Sequence, residues 1–393
     1  MSVCDAKNES RLISTAAKHV ELVQGDFMKK MLLIALIGVL VGAFLPLPSA
    51  SADRGVVERA VSFEVIHQNR TRTTPLCQGD GKTYTLRGSL VGPAGVQAGR
   101  IDSVTLYLGG GGDVSAWHFT AAPGVDHITE MARLGHASVS LHLLGYKSSD
   151  PVDGNTLCYA AWADQVQQVI DQLRAGSYTM AGRARPAFER VALAGHSNGA
   201  PVAELATVSF HGADALIVQG WTDYPWMGTL PAGVDEGVDS PHPFPYRTIA
   251  GFVRRCVTAP ESKPPGGPGG WAYLFTTRAE FELVVHDIDP DVVEALIEMY
   301  EQDPCTTLDS LPAVLASNNA LAPTVDGPVQ LANGDRDPFA SPTQIEVQRA
   351  RYELGSDDVS SVIVPATAHL PMLERTAPMF RAELSSWLKA RGF

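Results

Sequence analysis

The sequence contains few basic residues for its length. Its 393 residues include 30 Lys and Arg against 43 Asp and Glu, which gives a formal net charge of −13 at pH 7. Nucleic acids and anionic membrane surfaces are bound mainly through clustered lysine and arginine. We therefore expect neither of them among the partners of this protein.

Cysteines are also few, and none is closely paired with another. Cys4 stands near the N-terminus, and Cys77, Cys158, Cys256 and Cys305 follow at wide intervals. The lack of any C-x-x-C spacing argues against a zinc site. In an exported chain, the four later cysteines would form two disulfides, for which three connectivities are possible.

Motifs for phosphate and metal ions are missing as well. The four glycines Gly109–Gly112 lack both the G-x-G-x-x-G spacing and a following Lys-Ser or Lys-Thr pair, which argues against a phosphate loop. The run "HDIDPD" lacks the glycine of an EF-hand, and Asp289 followed by Pro290 is typical of a helix start. We therefore expect no metal and no cofactor.

Residues 28–52 have the three parts of a secretory signal peptide. Two lysines come first, an apolar run extends from Met31 to Leu45, and small residues end the segment at Ala52. The run is short for a membrane span, and no cysteine for lipid attachment follows. We expect cleavage near Ala52, secretion to the extracellular or periplasmic space and no stable membrane anchor afterwards. Residues 1–27 are expected to be a misassigned start or a disordered leader.

The remaining chain alternates between strand and helix patterns. Short apolar runs and helical spacings follow one another through residues 53–220 and again through residues 328–393. This alternation predicts an α/β fold, with a mostly parallel sheet and helices on both of its faces. The first two strands adjoin and should form an antiparallel edge. Residues 221–327 break the rhythm and are rich in aromatic residues, which predicts a helical cap insertion with an apolar inner wall.

The stretch "AGHSNGA" contains the most informative motif. Ser197 lies in a G-x-S-x-G pattern, between a strand pattern and an alanine-rich helix pattern. A serine at a sharp strand-to-helix turn presents its hydroxyl outward, and the chain passes too close to Gly195 and Gly199 for side chains there. Ser197 is therefore a candidate nucleophile, and an ordinary glycine-rich turn is the alternative.

Together with two later features, this motif resembles the α/β-hydrolase family over nearly all of residues 55–391. A serine, an acid after the penultimate strand and a histidine after the last strand follow in that order. The resemblance implies Ser197 as nucleophile, His369 of "VPATAHLPMLE" as base and Asp337 of "ANGDRDPF" as acid, with Asp335 as the alternative acid. In such a triad the imidazole takes the serine proton, and the carboxylate orients the imidazole.

The resemblance also implies an oxyanion hole. One donor in the family is the backbone N–H after the nucleophile, here that of Asn198, and another comes from the loop after the third strand. That loop is "YLGGGGDVSAW" here, with Gly110 as the first choice of donor and Gly111 as the second. Leu108 replaces the histidine that the family usually has at this point.

The family's strand arrangement further implies the disulfide pairing. The second strand of the family runs antiparallel beside the fourth, so Cys77 and Cys158 should lie at the same edge of the sheet. This leaves Cys256 and Cys305 to pair within the cap, where their link would limit the freedom of the unfolded chain.

Three residues are candidates for the substrate pocket: Trp117, His196 and Trp221. The implied function is that of a secreted serine hydrolase, which cleaves a small-molecule or polymeric carboxylic ester through an acyl-enzyme. A peptidase, a lactonase or a lyase with the same triad is the alternative within the family. A catalytically inactive binding protein is the alternative from another class.

Overall fold

A computed structural model describes residues 55–73, 77, 79–96, 99–181, 185–224 and 244–393. The predicted leader and signal peptide, residues 1–52, lie outside the described residues. The strands are β1 (Val56–Ile66), β2 (Thr83–Pro93), β3 (Ser103–Leu108), β4 (Ser138–His142), β5 (Thr179–Met180), β6 (Arg190–His196), β7 (Ala215–Gln219), β8 (Trp271–Ala272), β9 (Asp303–Pro304), β10 (Val329–Gly334) and β11 (Val359–Val364).

The helices lie between these strands and after them. They are α1 (His127–Arg133), α2 (Tyr159–Ala175), α3 (Gly199–Phe210), α4 (Phe244–Thr258), α5 (Arg278–Glu282), α6 (Pro290–Met299), α7 (Thr306–Leu321), α8 (Pro342–Tyr352) and α9 (Ala377–Ala390).

Nine of the strands form one mostly parallel sheet, as the alternation predicts. Their order is β11-β10-β7-β6-β3-β4-β2-β1-β5. The strands from β11 to β4 pair in parallel, whereas β2 is antiparallel to both β4 and β1. The antiparallel pairing of the first two strands at one end of the sheet is confirmed, with the short strand β5 added outside β1. The two residues of β5 pair with Val61 and Ser62 and cover β1, and so short a strand leaves no periodic pattern in the sequence.

Helices cover both faces of the sheet. Every residue of β7 and β10 is buried, as expected for parallel strands between two helical layers. Because neighbouring side chains of a strand point to opposite faces, Leu106 and Tyr107 of β3 belong to different apolar cores. The first core includes Val166 of α2 and Leu205 of α3, and the second includes Ile128 of α1.

Helices α4 to α7 all lie in the connection between β7 and β10, where residues 221–224 and 244–328 are described. We call this connection the β7–β10 segment, and we call the nine-stranded sheet with its other helices the sheet body. Trp271 of the segment is fully buried in one apolar core, and Leu296 is buried in the other. Asp289 caps α6 by accepting from the Asp291 backbone N–H, and Pro290 opens the helix, as its sequence indicates.

The four described cysteines form the two pairs that the resemblance implies. Cys77 and Cys158 join the β1–β2 connection to the start of α2, with 6.2 Å between their Cα atoms. Cys256 and Cys305 join α4 to the start of α7, with 5.5 Å between their Cα atoms. Disulfides of this kind indicate a non-reducing compartment. In the described part of the chain, no helix has the length and hydropathy of a membrane span.

Candidate active site

Ser197 lies in a sharp turn between β6 and α3. Its backbone adopts a φ of +51°, in the left-handed region, and its N–H donates to Gln219 O at 3.0 Å. A β-carbon on Gly195 would lie 2.4 Å from Gly199 O, and one on Gly199 would lie 2.5 Å from Gly109 O. The predicted reason for the two glycines is confirmed, because neither position has room for a side chain.

Asp337 and His369 follow two neighbouring strands, β10 and β11, and lie in contact with each other. His369 Nδ1 is 2.9 Å from Asp337 Oδ2, and the Asp337 side chain is fully buried. The second carboxylate oxygen accepts from the Phe339 N–H at 2.8 Å. This contact holds a proton on Nδ1, so Nε2 is left as the basic nitrogen. Nε2 is buried, and no group in the described ranges hydrogen-bonds to it.

Asp335, the alternative acid, points elsewhere. Its side chain is 37% exposed, and its Oδ1 accepts from the Thr367 N–H at 3.1 Å. It thus fixes the turn that leads to His369 without reaching the imidazole. Of the two predicted acids, the structure brings only Asp337 to His369.

The backbone of His369 is held from two sides. Its N–H donates to Val284 O of the β7–β10 segment at 3.1 Å. Its carbonyl accepts from His196 Nε2 at 2.9 Å and from Gln219 Nε2 at 3.4 Å. The imidazole is therefore positioned by residues of both the sheet body and the segment.

His196 lies behind the imidazole of His369 and borders the cavity described below. The two ring centroids are 4.7 Å apart, and His196 is buried. Burial lowers the pKa of His196 well below its ordinary value, and the neighbouring His369 adds to this effect. His196 is thus a neutral donor to the His369 carbonyl, and it fits the predicted place in the pocket wall.

The glycine loop, Gly109–Gly112, lies directly beside the elbow. A β-carbon on Gly110 would lie 3.0 Å from Ser197 Cβ, and one on Gly111 would lie 2.7 Å from Asn198 Nδ2. Asn198 is the N-cap residue of α3, so its backbone N–H has no acceptor within the helix. The structure therefore brings all three predicted donor residues together around Ser197.

These groups border a cavity of about 730 Å³ of empty space, its open mouth included. Its polar lining includes Ser197, Asn198, His369 and, from the glycine loop, Gly110 and Gly111; the rest of the lining is mainly apolar, and we call it the apolar side. The β7–β10 segment supplies most of the apolar side, including Trp221, Ile249, Leu274, Phe275, Phe281 and Leu296. The arrangement suits a ligand with one polar, reactive group and an apolar remainder.

Trp221 lines this cavity as predicted, but the prediction for Trp117 is wrong. Trp117 is 1% exposed, and its indole N–H donates to Leu108 O at 2.8 Å. Its ring packs against Tyr107 and His127 in the core behind the cavity. Trp117 therefore supports the strand before the glycine loop, and its closeness in sequence to that loop was misleading.

Comparison with known proteins agrees with this architecture. No protein-family model matches the sequence, and no curated protein matches it. An esterase from Exiguobacterium antarcticum matches structurally with a TM-score of 0.54 at 14% identity, over 82% of this chain and 99% of that one. A monoacylglycerol lipase from Paleococcus ferrophilus gives a TM-score of 0.51 at 13% identity, over 74% and 95% of the two chains. A thermophilic esterase from Thermogutta terrifontis gives 0.50 at 18% identity, over 83% and 98%.

The chain has the α/β-hydrolase fold. At these identities the likeness establishes the architecture and leaves the activity to be argued from the site. Within this fold, Ser197, Asp337 and His369 all follow the carboxyl ends of sheet strands, where ligands of such sheets commonly bind.

Sequence reasoning missed the residues through which the β7–β10 segment contacts the site. Val284 holds the backbone of His369, Asp303 accepts from the Gly112 N–H at 2.9 Å, and Tyr300 packs against Gly112. Asp303 and Gly112 are 191 residues apart in sequence. No local motif marks such a contact, because the two residues come together only in the folded chain.

Proposed function

We propose that this protein is a serine hydrolase that cleaves carboxylic esters with an apolar acyl group. The observation that carries the proposal is the state of His369. Its Nδ1 is fixed on a buried carboxylate, and its Nε2, which has no hydrogen-bond partner among the described residues, lies beside a cavity that Ser197 also lines. An imidazole in this state is suited to remove a proton from a serine hydroxyl.

In the proposed reaction, Ser197 Oγ attacks the ester carbonyl carbon while His369 Nε2 takes the hydroxyl proton. The carbonyl electron pair moves to its oxygen, and the N–H groups of Asn198 and Gly110 stabilise the resulting charge. Collapse of this intermediate breaks the ester C–O bond, and His369 returns the proton to the departing alcohol. Water then repeats the sequence on the acyl-enzyme, which releases the carboxylic acid and restores Ser197.

The apolar side of the cavity supports the proposed acyl specificity. Burying an acyl chain against Phe275, Phe281 and Leu296 stabilises the complex by about 0.8 kcal/mol for each methylene removed from water. In this proposal, residues 221–327 act as a cap over the catalytic groups. The substrate is then a small or polymeric ester whose acyl part enters beneath the cap.

Export belongs to the same proposal. The two disulfides indicate a non-reducing compartment, and a cleavable signal peptide at residues 28–52 would deliver the chain there. We propose that the mature enzyme is secreted, free of a membrane anchor, and does not act on nucleic acid.

A fluorophosphonate probe tests the proposal, since it phosphonylates only an activated serine. We expect an adduct at Ser197 in the wild type and none in Ser197→Ala, whose kcat on p-nitrophenyl esters should fall by about 10⁴-fold or more. Ser386→Ala, an exposed serine of α9, is the matched control and should label and turn over like the wild type.

The same preparation separates the alternatives. A wild type that is folded but forms no adduct would contradict the proposal and favour a binding protein. If the probe labels Ser197, the rates of the wild type are compared on p-nitrophenyl esters of increasing chain length, on lactones and on aminoacyl amides. Faster cleavage of amides or lactones than of esters would overturn the ester assignment while leaving the nucleophile in place.

A further inference from the structure

A buried carboxylate lies directly behind the glycine loop. Asp303 of β9 is 2% exposed, and its Oδ1 accepts from the Gly112 N–H at 2.9 Å and from the Tyr146 O–H at 2.6 Å. The Tyr300 hydroxyl lies 3.5 Å from Oδ2. Burial raises the pKa of Asp303 above its usual range. Nothing in the reaction proposed above uses this carboxylate, although three donors converge on it.

The contacts of Asp303 determine where the glycine loop can lie. Gly112 has a φ of +65°, and a β-carbon there would lie 2.1 Å from the ring of Tyr300. A β-carbon on the neighbouring Gly111 would lie 3.2 Å from Asp303 Oδ1 and 2.7 Å from Asn198 Nδ2. The loop is therefore enclosed between the elbow on one side and the Tyr300–Asp303 region on the other.

Asp303 is itself firmly anchored. It begins β9, which pairs with β8, and Cys305 two residues later is linked to Cys256 of α4. The Cys305 N–H also donates to Gly270 O at 2.8 Å. A carboxylate on so constrained a strand can fix its hydrogen-bond partners, whereas a glycine-rich loop on its own samples many conformations.

An oxyanion hole works only if its donors are held within about 0.5 Å of the productive position. Gly112 directly follows Gly111 and lies two residues after Gly110, so a shift of Gly112 moves the N–H groups of both predicted loop donors. A hydrogen bond to a carboxylate is roughly twice as strong as a neutral one. The Gly112–Asp303 bond is thus a strong restraint one residue away from Gly111 and two residues away from Gly110.

We propose that Asp303 is a positioning residue for the oxyanion hole, which it controls by holding the Gly112 N–H. This inference rests on the proposed function. It makes the β7–β10 segment part of the apparatus that stabilises the transition state, beyond its place in the pocket wall.

The test compares Asp303→Ala and Asp303→Asn with the wild type, all with active sites titrated by the fluorophosphonate. Loss of one oxyanion donor costs about 10²- to 10³-fold in kcat, and we expect about 10- to 100-fold for Asp303→Ala, with KM within about twofold. Asp303→Asn keeps an oxygen for the Gly112 N–H and should recover most of the loss.

A second readout isolates the oxyanion hole. A trifluoromethyl ketone with the substrate's acyl chain binds Ser197 as a charged tetrahedral adduct, so its affinity should fall in Asp303→Ala in parallel with kcat/KM. Asp164→Asn is the matched control. Asp164 is a fully buried carboxylate of α2 that accepts from Arg70, and its loss should leave kcat and ketone affinity unchanged.

An Asp303→Ala variant with wild-type kcat and wild-type ketone affinity would overturn the inference while leaving the proposed function in place. If that variant does not fold, Tyr146→Phe tests the inference instead, since it removes one hydrogen-bond donor to Asp303 and keeps the aromatic ring. We expect about threefold losses in kcat and in ketone affinity there, and no loss in either overturns the inference. Failure of the proposed function is seen separately, as an unlabelled wild type, and would remove the basis of the inference.

Discussion

The two sides of the cavity hold their groups by different means. On the sheet-body side, Ser197, Asp337 and His369 each follow a strand of one sheet. Asp337 and His369 are in contact because β10 and β11 are neighbours, and His369 lines the same cavity as Ser197. On the β7–β10 side, Val284 and Asp303 contact the site by hydrogen bonds to backbone N–H groups. The sheet body thus supplies the reactive side chains, and the segment restrains the backbone around them.

The groups on the two sides therefore depend on different parts of the fold for their positions. A strand end fixes a reactive side chain through the hydrogen-bonded ladder of the sheet, which is the most stable part of such a fold. A contact from the segment depends on the packing of short helices and on one disulfide, Cys256–Cys305. Substitutions in the two regions should therefore differ in size and in the step that they affect.

The largest effect is expected from the acid of the sheet body. In Asp337→Asn, the amide would donate to His369 Nδ1 and move the imidazole proton to Nε2, where it blocks removal of the serine proton. We expect kcat to fall by about 10⁴-fold, measured as ester hydrolysis per titrated active site.

Asp335→Asn is the matched control for this substitution. Its side chain is partly exposed and contacts Arg336 and the turn before His369, but not the imidazole, so kcat should stay within about threefold of the wild type. A large loss in Asp335→Asn together with a small one in Asp337→Asn would reverse the assignment of the acid.

A smaller effect is expected where the two regions touch. In Gly112→Ala, the new methyl group would collide with the Tyr300 ring, and the glycine loop would have to shift from its place beside Ser197. We expect kcat to fall by about 10- to 100-fold and the free energy of unfolding to fall by about 2 to 4 kcal/mol. Ester kinetics measures the loss in kcat, and denaturant unfolding of the same preparation measures the loss in stability.

Gly124→Ala separates the collision from backbone strain. Gly124 also has a positive φ, +77° against +65° at Gly112, but a β-carbon there would meet nothing within 4 Å. It should cost only about 1 to 2 kcal/mol for the left-handed conformation, with no change in kcat. Equal losses in both variants would mean that the contact with Tyr300 does not restrain the loop.

Predictions from the sequence succeed on the sheet-body side for a physical reason. Close approach of the backbone requires glycine at positions 195 and 199. Burial of both sheet faces requires apolar runs in the strands. The carboxyl ends of parallel strands lie at one edge of the sheet. Each of these constraints acts within a few residues of the serine, the acid or the histidine. The fold class and the turn at Ser197 are therefore predicted by local patterns, whereas Asp337 and His369 were predicted from the family resemblance.

Predictions from the sequence fail where the deciding contact joins residues far apart in sequence, or where the element is very short. Asp303 gains its place from Gly112 and Tyr146, which are 191 and 157 residues away, and nothing around "EQDPC" marks it. The two-residue β5 is too short for any alternation. Trp117 follows the glycine loop closely in sequence, yet its indole turns back to Leu108. Nearness along the chain did not predict which way that ring points.

The smallest effect is expected at the junction of the two regions, where two buried carboxyl groups face each other. Asp223 lies near the start of the β7–β10 segment and accepts from the Trp221 indole N–H at 3.2 Å, and Glu204 lies on α3. Burial raises the pKa of Asp223 to about 7. Burial, followed by the charge of Asp223, raises the pKa of Glu204 well above its usual range.

A raised pKa in the folded state means that folding favours the protonated Asp223. Its contribution to stability is complete below the unfolded pKa of about 3.9 and is lost as the pH rises towards about 7. Asp223→Asn has no charge to bury, and its amide oxygen still accepts from Trp221. Relative to the wild type, its free energy of unfolding should therefore rise between pH 5 and pH 8, by about 1 to 2 kcal/mol. Urea unfolding at pH 5, 6, 7 and 8 measures this difference, and a constant or shrinking difference would show that Asp223 is not held protonated at the junction.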